Sequence, residues 1–249
     1  VNFGAMREWT SFATLYDPRR RTASSAAFAQ VELDRDEWHV AVGLRREEHR
    51  AFGGAWSLGA DLRYDLPQGF ALTANYGEGF KAPSLFQLFS DFGNAALRPE
   101  RAQSFDAGLV YAQGLVSLAL RGFHRDTHDQ IVYESCFGVS TGICTNRPFG
   151  TYDNRGLTRA QGIEAEGRVT VADGVALGAV YSLADTRDRT PGSFTLGNAL
   201  ARRPRHAATL SAEWEPLERI ALAADLRLVS QAFDDGFNTV RLDGYQLLT

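Results

Sequence analysis

Two cysteines, one serine pentapeptide and one histidine–aspartate run are the places where this chain could do chemistry. Cys136 and Cys144 are its only cysteines, eight positions apart. Such a pair either closes a loop or stays as two free thiols; as a metal pair it lacks companion ligands at useful spacing. Between them, Gly138-Val-Ser-Thr-Gly142 has the Gly-x-Ser-x-Gly form. A nucleophile elbow needs an apolar strand before the serine and a helix after it. Here the segment reads instead as a flexible polar loop tip. His124-Arg-Asp126-Thr-His128-Asp129 gathers imidazoles and carboxylates. On a strand, residues 124, 126 and 128 share a face, so a divalent cation is conceivable there. A hydrated strand end entering a loop needs no ion and is the reading adopted. No catalytic residue, no metal ligand and no cofactor site is assigned, and the chain is not read as an enzyme.

Two further patterns point away from nucleotides and nucleic acids. Gly77-Glu-Gly79 lacks the third glycine and the following Lys-Ser helix of a phosphate cradle. Its glycines fit a strand that bends or is approached closely by another backbone. Arg19-Arg20-Arg21 reads as solvated loop charge, because the whole chain carries a net charge of −4 with 22% charged residues.

The elements that must carry these residues are strands. From residue 24 onward, segments of about ten residues alternate with a period of two. Trp38, Val40, Val42 and Leu44 share one face; His39, Ala41, Gly43 and Arg45 share the other. Trp56 to Tyr64 and Phe70 to Tyr76 repeat the pattern. So do Phe105 to Tyr111, Ile163 to Val171, Ala208 to Trp214 and Ile220 to Leu228. The stretch 115–124 is less regular, with Leu115 and Phe123 opposite Leu118 and Leu120. Residues 1–22 are the least readable, with a strand and an outer loop expected between Phe3 and Tyr16.

Alternation alone fits a soluble sandwich as well. Connection lengths discriminate better. Short turns fall at Asp34-Arg-Asp36, Leu66-Pro-Gln-Gly69, Gln113-Gly114, Asp173-Gly174 and Glu215-Pro216. Longer connections lie near 47–54, 80–100, 129–157, 187–203 and 230–238, so short and long alternate as in outer-membrane barrels. Trp38, Tyr64, Phe70, Tyr111 and Trp214 lie near short turns on the apolar face, where an aromatic girdle belongs. The opposite face carries Arg45, Asp61, Arg63, Glu164, Glu166, Arg168, Arg219, Asp225 and Arg227. A dry core could not hold these charges, whereas a wet or plugged barrel lumen can. No run of about 18 apolar residues predicts a membrane helix, which leaves a strand-built membrane protein open.

The stretch Tyr76-Gly-Glu-Gly-Phe-Lys-Ala-Pro-Ser-Leu-Phe-Gln-Leu-Phe89, then Gly93-Asn94, then Leu97-Arg-Pro-Glu-Arg101, ends in a strand with Asp106 and Gly108. In this order and spacing it resembles the barrel signature of TonB-dependent outer-membrane receptors, in the cobalamin and siderophore transporter branch. The residues carrying the resemblance are Tyr76, Gly79, Phe80, Lys81, Ala82, Pro83, Asn94, Leu97, Pro99 and Glu100. Tyr152-Asp-Asn-Arg-Gly156 followed by Ala160-Gln-Gly-Ile-Glu-Ala-Glu166, then Arg202-Arg-Pro-Arg-His206 and Arg241-Leu-Asp-Gly-Tyr245, are similar to later words of that family.

The resemblance implies an all-β fold: an antiparallel transmembrane β-barrel, with about eleven or twelve of an expected 22 strands here. Residues 1–249 are expected to be part of one barrel domain. The plug, the TonB box, the early strands and the closing strands are expected outside it. Because outer-membrane proteins cross the oxidising periplasm, the resemblance also favours a disulfide between Cys136 and Cys144. It implies TonB-driven uptake of a large metal chelate such as cobalamin, a ferric siderophore or haem, with a passive porin-like channel as the alternative. The implied setting is the bacterial outer membrane. Expected partners are its lipid and lipopolysaccharide, the chelate, and TonB through an N-terminal part. Nucleic acid is not among them. Aromatics on the long loops, Phe86, Phe89, Phe92, Tyr133, Phe137 and Tyr152, are the candidate ligand contacts; packing of the loops against each other is the competing reading.

Overall fold

The computed structural model describes residues 1–249 except Thr14, Tyr16, Asp17, Ala51, Val139 and Glu218, and except the side chain of Arg155. The second residue of the serine pentapeptide (Val139) and the last residue of the expected first strand and outer loop (Tyr16) therefore lie outside the described residues. Eleven long strands follow in chain order: β1 (Asn2–Phe12), β2 (Arg20–Arg35), β3 (Trp38–His49), β4 (Gly53–Asp65), β5 (Phe70–Lys81), β6 (Glu100–Gln113), β7 (Val116–Ser135), β8 (Gly150–Ala172), β9 (Val175–Asp188), β10 (His206–Leu217) and β11 (Ile220–Val229). A ribbon of β12 (Ala232–Phe233) and β13 (Arg241–Leu242) precedes β14 (Tyr245–Leu248). The first eleven strands and β14 form one 12-stranded sheet in which each strand pairs with its chain neighbour and β14 closes onto β11. Pairing is antiparallel throughout. This is the all-β antiparallel architecture that the alternation predicts.

The register keeps each face chemically uniform. Val42 opposes Ala60, Leu62 opposes Ala74, Leu72 opposes Leu109, and Leu109 opposes Leu120. On the other face Asn75 opposes Asp106, Arg121 opposes Glu164, and Glu164 opposes Ser182. A one-residue slip would exchange the faces, so this pattern fixes the register. The apolar face stays largely exposed. Leu118 and Leu120 follow it, and Phe123 stands on the polar face, opposite Gly162.

One end of the sheet carries only connections of two to four residues: 36–37, 66–69, 114–115, 173–174 and 218–219. Gly114 and Gly174 supply positive φ in the tightest of these, 59° and 71°. The aromatic girdle sits beside them. Trp38 and Tyr64 have ring centroids 4.4 Å apart, and Phe70 and Tyr111 4.7 Å apart. The other end carries 13–19, 50–52, 82–99, 136–149, 189–205 and 230–244.

Two connections are shorter than their sequence suggests. β3 and β4 zip up to His49 and Gly53, so the expected loop near 47–54 shrinks to 50–52. β7 and β8 pair out to Ser135 and Gly150, leaving 136–149 rather than 129–157. There polar and apolar residues face one another across the pair, Glu47 opposite Ala55 and Val132 opposite Asp153, which hides the strand period that apolar residues reveal elsewhere. Within 82–99 a short helix, α1 (Leu85–Phe89), was not expected. Ser84 caps it, accepting from Gln87 N, while the Gln87 side chain accepts from Ser84 N. The Ser-x-x-Gln spacing is a capping box legible in the sequence.

Candidate functional site

The long-connection end carries a seat built from two segments. The 82–99 connection lies against the projecting β7–β8 hairpin. Leu85, Leu88 and Leu97 form a buried cluster beneath it, with Phe12, Phe52, Ile131 and Tyr152 packed around it. Burying a leucine contributes about 1.5–3 kcal/mol. The polar contacts are equally specific. Asn94 Nδ2 donates to the Tyr152 carbonyl at 2.9 Å, and Tyr152 N donates to the Phe92 carbonyl at 3.3 Å. Asn154 Nδ2 donates to the carbonyls of Arg98 and Asp129, both at 2.7 Å, while its Oδ1 accepts from Arg98 N at 2.6 Å. Asn154 stands where the β7–β8 register shifts, beside Asp129 with φ of 53°. The bulge frees the backbone groups that the loop then uses.

Six loop aromatics were candidate ligand contacts. Four of them join one edge-to-face chain with Phe12. Phe12 meets Phe86 at 5.8 Å, Phe86 meets Tyr152 at 6.2 Å, Tyr152 meets Tyr133 at 5.5 Å, and Tyr133 meets Phe92 at 6.1 Å. Tyr133 and Tyr152 are on strands β7 and β8, opposite each other, rather than in a loop. Phe89 receives the Arg20 guanidinium 5.2 Å from its ring centroid. Phe137 projects from the 136–149 connection and is 85% exposed. Cys136 and Cys144 are joined by a disulfide within that connection, with Cα atoms 5.3 Å apart.

The signature residues divide between wall and seat. Tyr76 donates its hydroxyl to Glu78 at 2.8 Å, and the other Glu78 oxygen accepts from Leu58 N where β4 and β5 stop pairing. Gly79 faces Ala102 and Phe80 opposes Arg101. Lys81 and Glu100 pair across the mouth of the 82–99 connection at 3.1 Å. Ala82 and the buried Pro83 lead into α1, and Asn94, Leu97 and Pro99 complete the return. Sequence reasoning missed Asn154 and Thr151. Thr151 Oγ1 donates to the Phe92 carbonyl at 3.1 Å and also meets Arg147. Asn154 falls within the Tyr152–Gly156 word, but its role and that of Thr151 depend on partners in the 82–99 connection 56–59 positions away, which local spacing does not reveal.

The histidine–aspartate run lies on β7. Asp126 is gripped by Arg159 through two bonds of 2.8 and 2.9 Å, and His124 Nε2 is 3.3 Å from it. Its carboxylate is thus committed to a guanidinium. Among the described residues no group of three His, Cys, Asp or Glu side chains is arranged to hold a metal ion. The polar wall below the seat is also paired. Asp106 bonds both Asn75 and Arg121 at 3.1 Å, and Arg168 makes a two-bond pair with Glu213 at 2.9 and 2.6 Å.

Comparison with known proteins agrees with this geometry. Residues 2–249 match the family described as "TonB dependent receptor-like, beta-barrel". The vitamin B12 transporter BtuB of Vibrio cholerae is 28% identical over 114 residues, covering 45% of this chain and 19% of that protein. The ferrioxamine receptor of Yersinia enterocolitica is 24% identical, covering 92% of this chain and 32% of the receptor. The chain thus spans a third or less of these curated relatives. Among solved structures, the siderophore receptor PirA of Pseudomonas aeruginosa superposes with a TM-score of 0.75 at 16% identity. That match covers 99% of this chain and 43% of PirA. A ferric enterobactin receptor (PfeA) mutant from the same organism, in complex with enterobactin, gives 0.78 at 19% identity, covering 92% of this chain and 37% of the receptor. At those identities the structural likeness speaks for the fold. The two-faced meander and the match over nearly its whole length lead to one conclusion: the chain belongs to the TonB-dependent receptor β-barrel family.

Proposed function

We propose that the protein works in active uptake of a large metal chelate across the bacterial outer membrane, driven through TonB. The observation that carries this reading is the division of the sheet: an exposed apolar face, a charged and hydrogen-bonded opposite face, and every long connection at one end. That arrangement suits a wall with lipid outside, a filled lumen inside, and a ligand mouth above. The relatives named above as a vitamin B12 transporter and a ferrioxamine receptor support the same reading. Residues 1–249 would supply part of the barrel wall and mouth. Lipid and lipopolysaccharide would meet the apolar face and its girdle. Phe137 and Phe89 would approach a ligand first, with Phe86, Phe92, Tyr133 and Tyr152 holding the seat beneath. The residues would perform no bond-making chemistry.

The test is binding and uptake by the full-length protein in outer-membrane vesicles and cells. Cyanocobalamin, ferric catecholates, ferric hydroxamates and haem are titrated, with uptake measured in strains with and without TonB. Saturable binding of one chelate with TonB-dependent uptake is the expected result. Absence of binding, together with TonB-independent leakage of small solutes, would replace this reading with a passive channel.

A further inference from the structure

Building on the uptake reading, we infer that the transported chelate is anionic, and that Arg125 and Arg203 recognise its charge. The two line a depression of ≈ 580 Å³ on the polar face at the long-connection end, together with Lys81, Thr127, Thr158 and Thr186. The register brings them onto one face: Ser104 opposes Arg125, Arg125 opposes Ala160, Ala160 opposes Thr186, and Thr127 opposes Thr158. This is the face of the Asp106 and Glu164 wall, so the depression opens toward the lumen just below the seat. It is contributed by β5 to β9 and the 189–205 connection, none of which holds the aromatics considered first except β7 and β8.

What distinguishes these two arginines is their lack of partners. Among the described residues, Arg101 also lines the depression without an ion pair, but its register position opposite Phe80 places it on the other face, with Phe105; several other nearby guanidinium groups are matched. Arg98 meets Asp129 at 2.6 Å, Arg159 meets Asp126, Arg187 meets Asp185 at 2.7 Å, and Arg202 meets Asp234 at 2.6 Å. Lys81 is matched by Glu100. Among the described residues, Arg125 and Arg203 make no ion pair and no side-chain hydrogen bond. Their charges are therefore uncompensated in a concave polar site ringed by hydroxyl donors. A lumen narrowed by protein has fewer waters to screen them, which strengthens their field on an anion. Guanidinium forks bind carboxylate, catecholate and phosphate oxygens with two parallel bonds, and threonine hydroxyls can fill the remaining lone pairs. An uncharged or cationic chelate would leave both arginines desolvated without return.

The experiment compares three probes on the full-length protein in vesicles: an anionic ferric tris-catecholate, an uncharged ferric trihydroxamate and cyanocobalamin. Wild type is measured beside Arg125→Ala, Arg203→Ala and the charge-keeping Arg125→Lys and Arg203→Lys. The expected result is preference for the anionic probe and affinity that weakens as salt rises. Each alanine variant should bind about ten-fold more weakly, with most affinity kept by the lysine variants. Two results overturn the inference while leaving uptake intact: preference for an uncharged probe, or anion affinity unchanged in the alanine variants. If the alanine variants keep their affinity but unfold at lower temperature, the arginines dock another segment of the protein instead. If no chelate of any charge binds, the uptake reading fails and this inference falls with it.

Discussion

Asn94 and Tyr152, 58 positions apart, are tied by a 2.9 Å bond from the Asn94 amide to the Tyr152 carbonyl. The same asparagine holds its own loop, because its Oδ1 accepts from Ala96 N at 3.0 Å. One side chain thus closes the loop and pins it to the hairpin. Replacing Asn94 by Ala removes both bonds and leaves the Tyr152 carbonyl half-buried and unserved. A cost of about 1–3 kcal/mol is expected, felt by the seat rather than the whole barrel. Limited proteolysis of the full-length protein should then cut within 82–99 at lower protease concentration. An unchanged cleavage pattern would show that Leu85, Leu88 and Leu97 hold the loop alone.

The disulfide closes a small loop at the top of that hairpin. Opening it returns conformational freedom to the 136–149 connection, worth about 2–3 kcal/mol on the loop-entropy estimate. Reduction with a thiol, or Cys136→Ser with Cys144→Ser, should raise proteolytic cleavage between those positions. The girdle end, built from Trp38, Tyr64, Phe70 and Tyr111, should keep its near-ultraviolet circular dichroism. Simultaneous loss of both signals would mean that the loop supports the barrel as a whole.

Much of the architecture was legible because the sheet has one apolar and one charged face, so alternate residues differ in chemistry. Trp38 to Leu44 and Phe70 to Tyr76 show this without any tertiary knowledge, and Gly114 and Gly174 mark the tight turns. The pattern fades at Gln130 to Ser135 and Thr151 to Asn154, where the register shifts and apolar residues face polar ones, as Val132 faces Asp153. Tyr133 and Tyr152 read as loop residues for that reason. The seat was only partly legible. The signature names Asn94 and Leu97, but Thr151 and Asn154 act through partners far along the chain, which local spacing cannot reveal. Arg125 and Arg203 were hidden differently: an arginine with no acid beside it looks in sequence like one that has found an acid elsewhere.

At the tip of the β12–β13 ribbon, Asp235 accepts from the backbone N–H groups of Val240 at 2.6 Å, Phe237 at 2.8 Å and Thr239 at 3.1 Å. The Val240 bond is the main cause that holds this carboxyl below its ordinary pKa; burial opposes it, and the bonds from Thr239 and Phe237 add to the lowering. A lowered folded-state value means the fold favours the ionised form. Its contribution is full above the ordinary carboxylate range and is lost as pH falls through the lowered value. Hydrogen exchange at Phe237, Thr239 and Val240 should therefore show protection that persists through mildly acidic pH and collapses only below the usual aspartate range. Asp235→Asn should weaken that protection and flatten its pH dependence. Protection in the wild type that is insensitive to acid would assign the turn's order to its backbone alone.

The two faces make the sharpest contrast. Leu109 lies on the apolar face between Leu72 and Leu120, two residues in from the girdle residue Tyr111. Ser182 lies on the polar face between Glu164 and Ala207. If the apolar face meets hydrocarbon, Leu109→Arg must drag a guanidinium into it, at about 1–3 kcal/mol at this depth between girdle and midplane. Ser182→Arg meets water and carboxylates instead and should cost little. Urea unfolding of both variants in lipid vesicles measures the difference directly. A Leu109→Arg variant as stable as wild type, with Ser182→Arg unfolded, would invert the assignment of the faces and with it the side on which any ligand could be held.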